Sequence, residues 1–214
     1  MAAAGCLELV VVRHGLTQWN RERRYQGQRD IPLLLPDALP GLDRLREALE
    51  EQSFDAVHCS DLTRCRQTLA HVVEGRERAW PTNFDARLRE LDFGDYEGRT
   101  YDELKSQPFY RAWIDSEGRQ PPPGGESTAD LGRRLDAWFD DVLSACKALG
   151  QRRVLVVAHG GVIRELRRRF EGIGFWQGDV VQAEGRRFTF AMNEEGRWQC
   201  SSSSAVPTPA SATS

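Results

Sequence analysis

Two histidine–glycine pairs are the residues of this sequence best suited to chemistry. The segments 10–15 (VVVRHG) and 156–160 (VVAHG) share one design, in which an apolar run ends and a His-Gly pair follows. An imidazole can attack an electrophile, carry a proton or bind a metal ion, and a neighbouring glycine lets a ligand approach the backbone closely. One histidine at a strand end is usually structural, but two in this setting, one of them preceded by Arg13, favour a functional site. His58 and His71 have no such setting, and we interpret them as structural.

The elements that must position these histidines are buried strands and amphipathic helices. Residues 7–12, 54–58 and 153–158 are short apolar runs typical of buried strands. Helical patterns alternate with them at 42–52, at 60–74 with Ser60 as the cap, at 127–149 with a Ser127/Asp130 capping box, and after Gly161. This alternation predicts an α/β sandwich with a mostly parallel sheet. Since ligands bind at the carboxyl ends of such strands, we expect His14 and His159 at one edge of the sheet.

Three segments lie outside the alternation. Residues 186–200 alternate and turn at 193–196, which predicts a hairpin at an antiparallel edge of the sheet. Residues 92–125 are rich in Gly, Pro and aromatics and predict an excursion over the ligand site; Phe109, Tyr110 and Trp113 share a helical face there, which suits packing or an apolar substrate wall. Residues 201–214 carry no charge and predict a disordered tail. The sequence thus predicts one domain over 1–200.

Composition narrows the functional classes. The 214 residues are 40% hydrophobic and 29% charged with a formal net charge of −3, as in globular proteins and without the overall positive charge that favours nucleic acid. No apolar run is long enough to span a membrane, and the N-terminus lacks the pattern of a signal peptide. The five cysteines show no metal-ligand spacing, which favours free thiols. We therefore expect a cytoplasmic protein that binds neither nucleic acid nor membrane.

Six sequence blocks, in order, resemble the histidine phosphatase superfamily, also called phosphoglycerate mutase-like. The first is Arg13-His14-Gly15-Leu16-Thr17-Gln18-Trp19-Asn20, which is similar to the family signature RHGxTxxN. The others cover residues 24–33 (RYQG and DIPL), 60–68 (SDLTRCRQT), 88–98 (LREL to EG), 123–127 (PGGES) and 157–161 (VAHGG). The segment 34–42 departs from the family pattern. The resemblance implies a three-layer α/β/α sandwich, with a mostly parallel central sheet and an antiparallel edge.

The resemblance also implies a role for individual residues. His14 would be the nucleophile that becomes a phosphohistidine, and Glu90 the general acid; Asp92, Asp95 and Glu97 lie close by in the sequence, and the resemblance alone selects Glu90. The residues implied for the phosphoryl group are Arg13, Asn20, Arg64 and His159. Those implied for the rest of the substrate are Thr17, Gln26, Gly27 and Gly160. We expect Arg13 and Arg64 to disfavour protonation of His14.

These features predict a metal-independent phosphoric monoester hydrolase of the histidine acid phosphatase type, acting on a small phosphorylated metabolite without a cofactor. The first alternative is a 2,3-bisphosphoglycerate-dependent phosphoglycerate mutase. Leu16, where mutases prefer Glu, and the absence of their insertion after the catalytic Glu speak against it. A non-catalytic phospho-ligand-binding module is the second alternative, although all the catalytic residue types are present. A metal-dependent hydrolase is not favoured, because the histidines of this sequence do not have the spacing of metal ligands. The substrate and the oligomeric state stay open.

Overall fold

A six-stranded sheet forms the centre of the molecule in the computed structural model, which describes residues 6–75 and 80–207. The strands are β1 (Cys6–Arg13), β2 (Ala56–Cys59), β3 (Thr82–Phe84), β4 (Arg153–Ala158), β5 (Gly185–Met192) and β6 (Trp198–Val206). Their order in the sheet is β3-β2-β4-β1-β5-β6. Strands β1 to β4 run parallel to one another, β5 is antiparallel to β1, and β6 is antiparallel to β5. The predicted mostly parallel sheet with an antiparallel edge is confirmed.

Helices cover both faces of this sheet. They are α1 (Gln18–Arg21), α2 (Leu39–Leu49), α3 (Thr63–Val73), α4 (Tyr101–Leu104), α5 (Pro108–Asp115), α6 (Thr128–Leu149) and α7 (Gly160–Glu171). Side chains of a strand point alternately to opposite faces, and in β1 Leu9 joins the core beneath α6 and α7, whereas Val10 joins the core beneath α2 and α3. The three-layer α/β/α sandwich is therefore confirmed. Across the described ranges, no helix has the length and apolar character needed to cross a membrane.

The register between β1 and β4 brings the two histidines together. The strands pair in parallel from Glu8 opposite Arg153 to Arg13 opposite Ala158. The residues that follow, His14 and His159, therefore leave the sheet at the same edge, and their ring centroids are 5.2 Å apart. This confirms the placement predicted from the two apolar runs.

Helix termini follow the sequence signals at α6 but not at α3. Ser127 caps α6 together with Asp130, and Gly150 ends it in the left-handed conformation, at φ +69°. Helix α3 begins at Thr63, so the prediction that Ser60 caps it is wrong. Asp30, from a distant loop, accepts hydrogen bonds from the backbone N–H of Thr63 at 2.7 Å and from its hydroxyl at 2.8 Å. A carboxylate at a helix N-terminus is favourable both as an acceptor and as a charge.

The C-terminal hairpin extends further than its sequence suggests. The turn at 193–196 joins β5 to β6 as predicted, but β6 continues through residues 201–206, so the prediction of disorder from 201 onward is wrong there. Uncharged serines supply little to bury, yet backbone pairing with β5 holds them at the edge of the sheet, where their small polar side chains stay hydrated. Residues 208–214 of the predicted tail lie outside the described residues.

The excursion at 92–125 contains α4 and α5 and builds a small aromatic core of its own. Tyr96, Leu104, Tyr110 and Trp113 are buried together in it. Phe109 points away, with 78% of its surface exposed. Tyr110 and Trp113 therefore serve packing, Phe109 does not share their buried face, and the alternative of a substrate wall is wrong.

Candidate active site

His14 lies at the carboxyl end of β1 with only 2% of its surface exposed. Its Nδ1 is 2.7 Å from the carbonyl oxygen of Gly15. A carbonyl can only accept, so Nδ1 carries the proton and the lone pair is on Nε2. The backbone N–H of Gly15 donates to the hydroxyl of Thr68, which fixes the turn. The turn thus holds the imidazole of His14 in one tautomer, with the lone pair on Nε2.

The surroundings of His14 keep this imidazole neutral. Burial is the largest cause, and the cationic side chains of Arg64 and Arg13 add to it; together they hold the pKa of His14 well below 6.5. The predicted influence of both arginines on the protonation of His14 is therefore confirmed. A neutral imidazole keeps the lone pair that an attack on phosphorus requires.

Three buried N–H groups beside His14 have no hydrogen-bond partner among the described residues. They are Nε of Arg13, Nε of Arg64 and Nε2 of Gln26. The rest of each side chain is held firmly: Arg13 donates to the Val180 carbonyl at 2.6 Å, and Arg64 donates to the carbonyls of Gly27 and Arg29 at 2.7 Å each. An unpaired buried donor costs about 1–3 kcal/mol. Such donors on the wall of a cavity are therefore suited to an oxygen-rich anion.

Glu90 is buried and lines the same cavity as His14. Its Oε1 accepts hydrogen bonds from the backbone N–H groups of Leu91, at 2.8 Å, and Gly161, at 2.9 Å. Gly161 is in the first turn of α7, where a carboxylate is favoured. The guanidinium of Arg134 also donates to the Glu90 carbonyl, at 2.9 Å, and pairs with Glu126. The position of Glu90 is thus set by two helices that are distant in sequence.

A cavity of about 170 Å³ joins these groups. His14, Arg13, Arg64, Asn20, Gln26, Glu90 and Gly160 are among the residues that line it. Asn20 accepts from the backbone N–H of Thr17 through Oδ1, at 3.2 Å, so the NH2 end of its amide is left to donate. Most of the residues implied for the phosphoryl group and the substrate therefore surround a single space.

Comparison with known proteins is consistent with this arrangement. The sequence pattern of the histidine phosphatase superfamily (branch 1) matches residues 9–204. The chain belongs to this superfamily. It is 37% identical to phosphoglycerate mutase-like protein 4 of Arabidopsis thaliana over 76% of this chain and 70% of that protein. It is 31% identical to a probable phosphoglycerate mutase of Salmonella choleraesuis over 91% and 89% of the two chains.

Solved structures of the superfamily include phosphatases. The crystal structure of a putative alpha-ribazole-5'-P phosphatase from Escherichia coli superposes with a TM-score of 0.74 at 26% identity, covering 91% of this chain and 95% of that one. Both phosphatase and mutase-like names thus occur among the proteins that this superfamily member resembles.

Three residues implied by the family signature lie behind the cavity wall. His159 is fully buried, and its Nε2 is 2.8 Å from the Ser60 hydroxyl and 3.4 Å from the Cys65 sulfur. Thr17 donates to Gln26 Oε1 at 2.9 Å, which directs Nε2 of that amide toward the cavity. Gly27 supplies the carbonyl that holds Arg64. Direct contact of these three with a substrate stays a prediction, whereas their contacts with the residues lining the cavity are present.

The two histidines that we interpreted as structural lie away from the cavity. The Nδ1 atom of His58 accepts from the indole N–H of Trp138 at 3.2 Å, and Nε2 of His71 is 2.7 Å from Asp43. Neither residue lines the cavity. Within residues 6–75 and 80–207, no group of three or more His, Cys, Asp or Glu side chains is placed to hold a metal ion.

Sequence reasoning missed the aromatic half of the cavity. Four aromatic side chains line it: Tyr25, Phe93, Phe175 and Trp176. Arg164 and Asp179 lie at its edge. Arg164 could have been found, because it follows Gly160 by four residues and so shares its helix face. The others come from loops, where no periodicity indicates which way a side chain points.

Proposed function

We propose that this chain is a phosphomonoesterase that needs no metal ion and acts through a phosphohistidine at His14 on a small phosphorylated metabolite. The observation that carries the proposal is the set of unpaired buried donors on Arg13, Arg64 and Gln26 around a neutral imidazole. Guanidinium groups match phosphate oxygens in charge and shape. They are placed to supply the positive charge that phosphoryl transfer requires.

The proposed reaction has two steps. In the first, Nε2 of His14 attacks phosphorus in line, so that an N–P bond forms, the ester O–P bond breaks, and the leaving oxygen takes a proton from Glu90. In the second, water attacks phosphorus, the N–P bond breaks, Glu90 takes the proton of the water, and inorganic phosphate leaves. Charge stays on the three equatorial oxygens throughout, and Arg13 and Arg64 stabilise it.

The contacts of Glu90 support its role as the acid. Oε1 accepts from both Leu91 and Gly161, whereas Oε2 accepts, among the residues that the structure describes, only from Gly161, at 3.1 Å. Oε2 therefore has the freer lone pair and is the oxygen on which we place the transferred proton. The backbone contacts keep the carboxyl group facing the cavity in either protonation state.

A phosphoglycerate mutase is the second candidate, favoured by the names of the two curated relatives. The apolar half of the cavity supports the phosphatase instead. Phosphoglycerates are small and carry a carboxylate, whereas Tyr25, Phe93, Phe175 and Trp176 offer mainly apolar surface. A leaving group with apolar surface fits this wall better.

One assay with two substrates tests both candidates. Purified protein in EDTA is given p-nitrophenyl phosphate and, separately, 3-phosphoglycerate with 2,3-bisphosphoglycerate. Phosphate release without isomerisation supports the proposal, while efficient isomerisation identifies a mutase. Activity that EDTA abolishes and a divalent metal restores contradicts metal independence.

The His14→Ala variant tests the nucleophile. It should lose turnover and should no longer form an acid-labile, alkali-stable phosphoprotein with labelled substrate. The matched control is His71→Ala, which removes a histidine outside the cavity and should keep both. Turnover of His14→Ala at the wild-type rate would refute the assignment.

A further inference from the structure

The cavity has two halves that differ in electrostatics. Four arginines line it: Arg13, Arg24, Arg64 and Arg164. Arg13 and Arg64 flank His14 and serve the phosphoryl group in the proposed reaction. Arg164 lies over the ring of Trp176, and Arg24 precedes Tyr25 in the chain. The charge beside the aromatic side chains therefore depends on whether these two arginines have carboxylate partners.

Each of these two arginines has its own carboxylate. Arg24 donates to Glu22 at 2.6 Å. Arg164 donates to Asp179 Oδ1 at 3.0 Å, and its guanidinium lies 5.5 Å from the ring centre of Trp176. Within the described ranges, the aromatic half of the cavity therefore has no arginine without an acidic partner.

The backbone on either side of Asp179 is held in place, unlike that of an ordinary surface ion pair. The carbonyl of Asp179 accepts from Arg167 at 3.1 Å, and the next carbonyl accepts from Arg13 at 2.6 Å. A Cβ at Gly178 would lie 3.0 Å from the Cα of Arg164, so the loop packs directly on α7. The Asp179 carboxylate is thus fixed at the cavity edge, within reach of both Arg164 and Arg13, whose Nη1 is 3.8 Å away.

We propose that Asp179 is a specificity-determining residue that neutralises the leaving-group half of the cavity. The enzyme then favours phosphomonoesters with an uncharged apolar or aromatic leaving group over those whose leaving group carries a carboxylate or a second phosphate. A negative leaving group would meet the aromatic wall and the carboxylate of Asp179, with no free cation to offset the cost of its desolvation. The buried Nε of Arg164, which has no partner among the described residues, is left to donate to a neutral oxygen of the substrate. This inference rests on the proposed phosphatase function.

The test compares two substrates that differ in charge and hardly in size, 4-carbamoylphenyl phosphate and 4-carboxyphenyl phosphate. The measured quantity is the ratio of kcat/KM for the neutral substrate to that for the charged one. The wild type should favour the neutral substrate. In Asp179→Asn the ratio should fall about fivefold, the size expected for two unit charges about 6 Å apart in a largely hydrated setting. The fall should shrink as salt is added.

Asp136→Asn is the matched control. Asp136 and Asp179 are each 63% exposed and each pair with an arginine, but Asp136 does not line the cavity. Its removal changes the net charge equally and should leave the ratio unchanged. A wild type that prefers the carboxylate, or an Asp179→Asn ratio within twofold of the wild type, overturns the inference. Failure of the wild type to hydrolyse either substrate would instead count against the proposed function, so the two failures are distinguishable.

Discussion

Replacing Gly161 by alanine should displace the carboxylate of Glu90 while Glu90 itself is left unchanged in the sequence. A Cβ at position 161 would lie 2.2 Å from Oε1 of Glu90, and real Cβ atoms essentially never approach a neighbour within 3.0 Å. One of the two must therefore move by at least the difference, 0.8 Å, and the carboxylate, at the free end of a flexible side chain, moves more easily than the helix backbone. In moving it weakens the hydrogen bonds that Oε1 and Oε2 accept from the backbone at 161. The variant thus moves the carboxyl group of the proposed acid by nearly 1 Å, which is enough to impair proton transfer to the leaving oxygen.

The expected loss of activity depends on the leaving group. A general acid contributes about 10²–10⁴-fold, and a misplacement of about 1 Å can cost about 10²-fold. Gly161→Ala should accordingly lower kcat/KM for β-glycerol phosphate about 10²-fold. The loss with p-nitrophenyl phosphate should be much smaller, because its leaving anion hardly needs a proton. Alanine is favoured over glycine in a helix by about 1 kcal/mol, so the protein should stay folded.

Steady-state kinetics on both substrates, with circular dichroism to verify folding, provide the assay. Gly132→Ala is the control: it makes the same change within α6, where a Cβ would lie 3.3 Å from Glu165 Oε1, a contact that a small shift relieves. It should leave both rates near those of the wild type. Unchanged hydrolysis of β-glycerol phosphate by Gly161→Ala, or equal losses on the two substrates, would refute the assignment of Glu90 as the acid.

Three further predictions concern the acid, the nucleophile and the fold. Glu90→Gln keeps the shape of the side chain but cannot give up a proton, so hydrolysis of alkyl phosphates should fall about 10²–10⁴-fold and that of p-nitrophenyl phosphate far less. Because the pKa of His14 lies well below 6.5, kcat/KM corrected for substrate ionisation should show no acid-side inflection near pH 6.5. Arg64→Met removes a cation and should raise this pKa, moving the inflection upward. Ser127→Ala removes the cap of α6 and should lower the free energy of unfolding by about 1 kcal/mol, as measured by urea denaturation.

Each of these has an outcome that would count against it. Equal rate losses on both substrates in Glu90→Gln would argue for a structural role of that carboxylate. A wild-type inflection near pH 6.5 would mean that His14 is protonated where we expect it to be neutral. For the cap, Ser144→Ala is the control, because Ser144 donates within α6 to the Asp140 carbonyl and caps nothing. If Ser144→Ala lowered the free energy of unfolding as much as Ser127→Ala does, the capping argument would be contradicted.

The sheet and the reactive half of the site could be predicted from the sequence, because both depend on local patterns. Continuous apolar runs identified β1 and β4, and the His-Gly pairs at their ends identified the edge where ligands bind. Glu90 was different: nothing in its own neighbourhood distinguished it from Asp92 or Glu97, and the family resemblance alone selected it. The structure places its carboxylate at the start of α7, a contact across 71 positions.

The aromatic half of the site could not be predicted, for a physical reason. Tyr25, Phe93 and Trp176 come from three separate segments between the main elements, and they meet around Trp113 of α5, whose ring contacts all three. The periodicity of Phe109, Tyr110 and Trp113 was correct as a helix, but spacing alone does not indicate which face a helix buries. Likewise, the serines of β6 gave no apolar pattern, because backbone pairing holds that strand rather than side-chain burial.

The position of β1 between two partner strands has a consequence for how this enzyme can evolve. Its amides pair with β4 on one side and β5 on the other, so they should exchange with solvent only when the whole domain unfolds. His14, the proposed nucleophile, is therefore anchored to the most protected strand. Trp176 and Asp179 instead lie in the connection between α7 and β5, outside the paired strands, where a change of side chain leaves the backbone pairing of the sheet intact. New substrate preferences can thus arise there by mutation, while the phosphoryl chemistry and the stability of the domain are retained.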